Sequence, residues 1–266
     1  MAFWGKSFIF NGTPCDDFDL MIYDIESHTQ GAGTFASTVT PVEDKLASRW
    51  KPLFYGTKNN NKLEHTMVFG VNQHRIDERK YLDRYEMDAI ATWLTGYDKY
   101  LWLEVEQEDL SYVRYRCIVT KLDIIEFEMI PWAFQAKIEC DSQYAYLYPQ
   151  TFEYEINGAT PIVFYNESSH HGYYMPKLEI LQPGEEFSIL NRSDNNRLFK
   201  FENIPNAVSS ICIDNNAGII TNNAGLNLYP NSNLKFFRLV KGDNYLTVTG
   251  HGILRIFCEF PINVGV

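Results

Sequence analysis

The sequence predicts a mainly β protein of two domains. The first is a β-sandwich or barrel-like domain with one α-helix and a protruding arm; the second is a helix-free antiparallel β-sandwich. Three observations predict this. Apolar and polar residues alternate along short segments through most of the chain, the pattern of half-buried strands. A single segment, from Asp83 to Gly96, has helical periodicity. From Tyr144 onward, Asn-, Gly-, Asp- and Pro-rich turns recur about every 8–12 residues, the spacing of an antiparallel sandwich. Aromatic residues make up 15% of the 266 residues, which favours strands and, in excess, interfaces. The length suits two domains of about 130 residues each. A hydrophobic share of 45% is enough to build a core in both.

Taken in order, "SFIFNG" (Ser7 to Gly12) predicts a strand closed by an Asn-Gly turn. "FDLMIYDIE" predicts a second strand, from Phe18 to Glu26. The pattern then weakens over about residues 27–61, where small polar residues surround "RWKPLFY"; this stretch reads as an extended arm or hairpin. Trp50, Phe54 and Tyr55 lie close together there, and either core packing or a subunit contact would account for them; Phe35 joins them as a candidate interface residue. "KLEHTMVFGV" returns as a strand from Lys62 to Val71.

The helix is expected at about residues 84–95. Asp83 is placed to cap it, with Glu86 completing a capping box, Leu82 and Met87 as a hydrophobic staple, and Gly96 as the left-handed stop. Met87, Ile90, Ala91 and Leu94 form its apolar face. The strands "KYLWLEVE", "VRYRCIVTKLDIIEFE" and "PWAFQAKIECDS" follow, the last with Trp132, Phe134, Ala136, Ile138 and Cys140 on one face. The domains are therefore 1–146 and 147–266. In the second, the sequence predicts ten separate short strands, among them "TFEYEI", "TPIVFYN", "LKFFRL", "NYLTVTG" and "ILRIFCEF". The Gly-Asp-Asn of "KGDN" reads as the turn that sets the register of the last ones.

Composition and motifs exclude several functions. A formal net charge of -11 without a Lys/Arg cluster argues against a nucleic-acid grip. No run of about 18 apolar residues is present to span a membrane, and the first residues lack the pattern of a secretory signal. The five cysteines, Cys15, Cys117, Cys140, Cys212 and Cys258, are widely spaced and read as free thiols of a reducing compartment. No nucleophile elbow, zinc-binding helix, phosphate loop or dinucleotide fingerprint occurs. His170-His171 reads as a solvated loop rather than a metal site, and Asp16, Asp17 and Asp19 as an acidic turn. Asp214 to Gly218 lacks the ligands of a calcium loop and reads as a type I′-like turn. The sequons at Asn11, Asn166 and Asn191 matter only in a secreted eukaryotic chain. No catalytic residue, metal or cofactor is expected.

The opening "SFIFNGTPCDDFDLMI" resembles the start of the distal tail protein family of long-tailed phages, with Asp19 where that family commonly has glycine. "WLTG" before "YLWLEVE" is similar to the family's single helix and the strand after it. The second half resembles the family's galectin-like domain through "FYNESSHHGYYMPKLEIL", "FSILNRSDNNRLFKFENI", "ICIDNNAGIIT", "NLYPNSNLKFFRLVKGDNYLTVTG" and "LRIFCEFP". The order of these segments over nearly the whole chain carries the resemblance.

The resemblance implies a structural protein of the virion tail tip, made in the bacterial host cytoplasm. It implies a homo-oligomer, usually a hexameric ring, whose arm clasps a neighbour. The tail tube protein would sit on one side and the tail-tip hub protein on the other. Outward galectin-like domains would carry receptor-binding or baseplate proteins, and DNA would pass only in transit through a central channel; independently, the net charge of -11 per chain would repel DNA wherever it lined that channel. A carbohydrate-binding adhesin is the alternative, with His170, Tyr173 and Tyr174 as a candidate glycan platform. A glycanase would need convergent carboxylates in one cleft.

Overall fold

The helix shows most directly how local sequence becomes structure. In the computed structural model, which describes residues 5–23, 40–58, 62–72, 81–107 and 110–264, α1 spans Arg84–Leu94. Asp83 Oδ1 accepts from the Glu86 amide and Glu86 Oε2 accepts from the Asp83 amide, each at 2.9 Å, so the capping box is complete. The Thr95 amide and hydroxyl both donate to the Ala91 carbonyl, and Gly96 follows at φ +84°. Ile90 and Leu94 are buried as their spacing requires, while Met87 and Ala91 are only half-buried. The expected face omitted Trp93. Its ring stacks on Phe18 at 4.6 Å and on Phe8 at 5.5 Å, and its indole N–H donates to the Phe10 carbonyl at 3.2 Å. This indole joins the helix to the sheet through one residue.

The chain divides into two compact units, residues 1–146 with 263–266, and residues 147–262. The strands of the first are β1 (Phe8–Phe10), β2 (Thr13–Pro14), β3 (Leu20–Tyr23), β4 (Thr40–Asp44), β5 (Leu53–Lys58), β6 (Glu64–Val71), β7 (Leu101–Val105), β8 (Val113–Phe127) and β9 (Ile130–Cys140). The short β10 (Ala145–Leu147) lies at the boundary. The main sheet runs β2-β1-β7-β8-β9-β6-β3, with every neighbouring pair antiparallel. Asn11 and Gly12 both have positive φ, so the Asn-Gly hairpin turn forms as its residues dictate. The strand expected from Phe18 is shorter: Cys15–Phe18 is a 3-10 turn ending on Asp19 at φ +54°, and Asp24 to Glu26 lie outside the described residues.

In the second unit β11 (Gln150–Asn166), β12 (Lys177–Leu181), β13 (Phe187–Asn191), β14 (Arg197–Phe201), β15 (Ser210–Asp214), β16 (Ile219–Asn222), β17 (Gly242–Cys258) and β18 (Pro261–Ile262) follow in order. The sheet runs β14-β13-β17-β12-β15-β16, with β11 along the other side of β17. Here the structure corrects the sequence reading. "TFEYEI" and "TPIVFYN" are one strand, as are "NYLTVTG" and "ILRIFCEF", and the two long strands pair without a break over 17 residues. The glycines that looked like strand ends are bends within a continuous ladder. Gly158 opposes Gly250 at φ +80° and +145°, and Gly252 follows at +124°. One half of β17 pairs with β13 and the other with β12, so the long strands turn the corner between two sheet segments. A Cβ on Gly250 would lie 2.8 Å from the Glu186 carbonyl oxygen, so glycine is required for close approach as well as for φ.

"LKFFRL" is not a strand; only Leu239 makes a β-bridge, with Tyr174. Its backbone is held instead by buried asparagines. Asn215 accepts from the Phe237 amide and donates to the Pro176 carbonyl; Asn191 donates to the Arg238 carbonyl and to Asn244 Oδ1. Asn244, fully buried, bonds both the amide and the carbonyl of Val240. The side chains supply the bonds a neighbouring strand would otherwise give. Asn244 lies inside β17, so the register element is this amide clamp rather than a Gly-Asp-Asn turn. Asp214 to Gly218 likewise is not a type I′ turn: only Gly218 has positive φ, and Asp214 Oδ1 accepts from the amides of Asn216 and Ala217.

Candidate interaction surface

β4 and β5 form a two-stranded sheet of their own. Their register shifts between Val42 and Glu43, where Val42 opposes Gly56 and Glu43 opposes Phe54. Tyr55 is the extra residue of this bulge, and Gly56 at φ +126° accommodates it. The loop between the strands closes with Arg49 N–H donating to the Leu46 carbonyl at 3.0 Å.

From Thr40 to Gly56 no residue is buried. Trp50 is 85% exposed, Phe54 63% and Tyr55 62%, with Leu46 also exposed beside them. Lys51 Nζ lies 4.6 Å from the Trp50 ring centroid, and Lys45 and Arg49 add positive charge to the same loop. A lone two-stranded hairpin is marginal in water. Covering each of these rings would release about 1.5–3 kcal/mol before ordering costs. The structure therefore brings Trp50, Phe54 and Tyr55 together on one exposed hairpin. Phe35 lies outside the described residues.

The three candidate platform residues differ in their surroundings. Tyr174 turns inward: its ring packs on Phe260 at 5.0 Å and its hydroxyl accepts from the Glu259 amide at 2.8 Å. Burial pushes its phenol well above the ordinary range. Tyr173 is 44% exposed, but the Arg238 guanidinium lies 3.4 Å from its ring centroid and covers one face. Arg238 is itself fixed by a two-bond pair to buried Asp194, at 2.7 and 3.0 Å, and this bonding holds the Asp194 carboxyl below its usual range. The His170 amide donates to Ser168 Oγ at 3.0 Å, and its ring lies over Gly172.

A depression of about 330 Å³ lies over β12, β15 and β16, lined by Lys177, Glu179, Cys212, Asp214 and Phe257 among others. Its carboxylates are paired: Asp214 with Lys177 at 3.4 Å, and Glu179 with Arg255 at 3.2 Å. The Ala217 amide, more than Lys177, holds the Asp214 carboxyl below its usual range. A carboxylate so stabilised is a poor general acid. Among the described residues no three His, Cys, Asp or Glu side chains cluster to hold a metal, and no helix is long and apolar enough to cross a membrane.

Residues 3–142 match the family "Phage tail protein N-terminal domain" and residues 144–258 match "Phage tail C-terminal domain". No curated protein matches the chain in sequence. Among solved structures, the fold is similar to the Dit protein of phage SPP1, described as a paradigm of the hub adsorption apparatus in phages infecting Gram-positive bacteria. That similarity has a TM-score of 0.67 at 11% identity and covers 96% of this chain and 98% of that one. Chains of the phage P2 baseplate in its activated conformation also match at 11% identity. The calcium form has a TM-score of 0.47 over 97% of this chain and 100% of that one; the strontium form has 0.48 over 95% and 98%.

Proposed function

The chain belongs to the phage tail protein family and carries the distal tail protein fold, and from that premise we propose that it is a structural ring subunit of the tail tip. In this reading six copies close head to tail, and the β4–β5 hairpin of each copy is gripped by its neighbour. Such heterologous contacts close into rings when the rotation allows. The first units surround a channel for DNA in transit, the tube and hub proteins dock on opposite sides, and the second units carry the host-binding apparatus. The protein is made in the host cytoplasm and acts in the virion, not as an enzyme.

The observation that carries the proposal is the hairpin: three aromatic rings at 62–85% exposure on a ribbon with no buried residue from Thr40 to Gly56. Such a surface matches the aromatic anchors of protein interfaces. The test is the mass of the purified chain in solution. Six copies of 30.9 kDa give about 185 kDa. The proposal expects that mass, and expects it to be lost when Gly31 to Lys58 is deleted. A monomer at high concentration, alone and with the tail tube protein, would overturn it.

A further inference from the structure

Cys117 and Cys140 stand directly opposite each other on the antiparallel strands β8 and β9. Both are completely buried and both are free thiols. The hydrogen bonds around them define the kind of pair. The Asp141 amide donates to the Arg116 carbonyl at 2.9 Å, so the neighbouring position is the hydrogen-bonded one. The Cys140 amide turns the other way and donates to the Leu63 carbonyl at 2.8 Å. Cys117 and Cys140 therefore form a non-hydrogen-bonded pair, whose Cα atoms sit about 4.5 Å apart with both side chains on one face. A disulfide accepts Cα separations of about 4.4–6.8 Å. Of the other three cysteines, Cys15 lies in a 3-10 turn, Cys212 opposes Glu179 and Thr221, and Cys258 opposes Gln150.

We propose that Cys117 and Cys140 are a modification site: an oxidisable dithiol that closes to a cross-strand disulfide in the centre of the first unit's sheet. The oxidant is a low-molecular-weight disulfide. One cysteine thiolate attacks it, forming a mixed disulfide and releasing one small thiolate. The second cysteine thiolate attacks the cysteine sulfur of that mixed disulfide, closing the Cys117–Cys140 bond and releasing the second small thiolate. The two protons given up by the cysteines pass to the two leaving thiolates; the protein pair loses two electrons and the small disulfide gains them.

Burial decides when this happens. It holds the Cys117 thiol well above its ordinary pKa and pushes Cys140 up to about 12, so the closed sheet contains little thiolate. Oxidation therefore proceeds while β8 and β9 are still coming together, or when the sheet opens. The Cα separation of such a pair, about 4.5 Å, lies at the short end of the disulfide range, so the bond can form with little movement of the strands. If the chain rides in a virion as proposed above, a reducing host interior keeps the pair open and the exterior closes it. That consequence rests on the tail-tip reading; the dithiol itself does not.

The test refolds the full chain in glutathione redox buffers, with a parallel sample kept in denaturant. After acid quench and thiol blocking, non-reducing peptide mass spectrometry reads the Cys117–Cys140 link. The expected result is a ratio of linked to unlinked pair at least tenfold higher in the refolded chain than in the denatured one, with Cys212 appearing only as a glutathione adduct. Cys117→Ser and Cys140→Ser chains should each lose the link without gaining a new one. An equal or lower ratio in the refolded chain, or linkage of either cysteine to Cys15, Cys212 or Cys258 instead, would overturn the proposal. The thiol measurement is independent of the solution mass, so either proposal can fail alone.

Discussion

Two antiparallel strand pairs in this protein obey the same ladder geometry and have opposite fates. β11 and β17 pair over 17 residues, and one face of the ribbon carries Ile156, Ile162, Phe164, Leu246, Val248, Leu254 and Ile256 into a closed core. β4 and β5 pair over five or six residues, and from Thr40 to Gly56 no residue is buried. Backbone pairing exchanges bonds to water for bonds to peptide and gains little net free energy. Apolar burial separates the two ribbons. The long pair finds its cover within its own unit, whereas the short one shows three aromatic rings to solvent. This exposed ribbon is the one proposed above to be covered by a neighbouring copy.

The sharpest way to break the long pair is at its corner. Gly250→Val places a β-branched side chain at φ +145° and against the Glu186 carbonyl. A loss of about 4 kcal/mol or more is expected, seen in chemical denaturation as unfolding of residues 147–262, while the Trp93 environment of the first unit is unchanged. Next is the amide clamp. Asn244→Ala removes the side-chain partner of the Val240 amide, and one of the two partners of the Val240 carbonyl and of the Asn191 side-chain amide, which keep Asn166 and the Arg238 carbonyl. Losing these bonds should cost about 1–3 kcal/mol, read as a lower denaturation midpoint with an unchanged slope.

A pH titration gives a smaller, graded effect. The Arg238 bonds lower the Asp194 carboxyl in the folded state. The pair therefore stabilises fully above the ordinary aspartate value of about 3.9, and its contribution is lost as pH falls through the lower folded value. The acid limb of the stability profile should steepen below about pH 4 and flatten in Asp194→Asn. The smallest effect on the fold belongs to the short ribbon. Trp50→Ser, Phe54→Ser and Tyr55→Ser together should change monomer stability by less than about 0.5 kcal/mol, yet weaken self-association at least tenfold by analytical ultracentrifugation. Equal losses of stability in the short and long ribbons would erase the contrast between them.

Much of this was legible in the sequence, for reasons that differ by residue. The capping box at Asp83 and Glu86, the stop at Gly96 and the hairpin turn at Asn11-Gly12 depend on atoms within a few residues of one another, so local chemistry determined them. The alternation along "WAFQAKIEC" determined which face of β9 is buried. The exposed aromatics of the hairpin could be suspected because "RWKPLFY" stands in a segment too polar to enclose it.

Only the tertiary structure decided the rest. A glycine inside an apolar stretch is equally compatible with the end of a strand and a bend within it. For Gly158, Gly250 and Gly252 the choice was made by ladders to residues 63–96 positions away. Asn191, Asn215 and Asn244 read as turn residues, the usual place for asparagine. They became core clamps because a distant backbone without a neighbouring strand needed their amides. Trp93 and the opposed Cys117 and Cys140 have the same lesson: their partners are remote in the chain, and spacing alone could not join them. Sequence sets the interactions whose partners are near; the fold assigns those whose partners arrive from elsewhere, because only packing brings them within bonding distance.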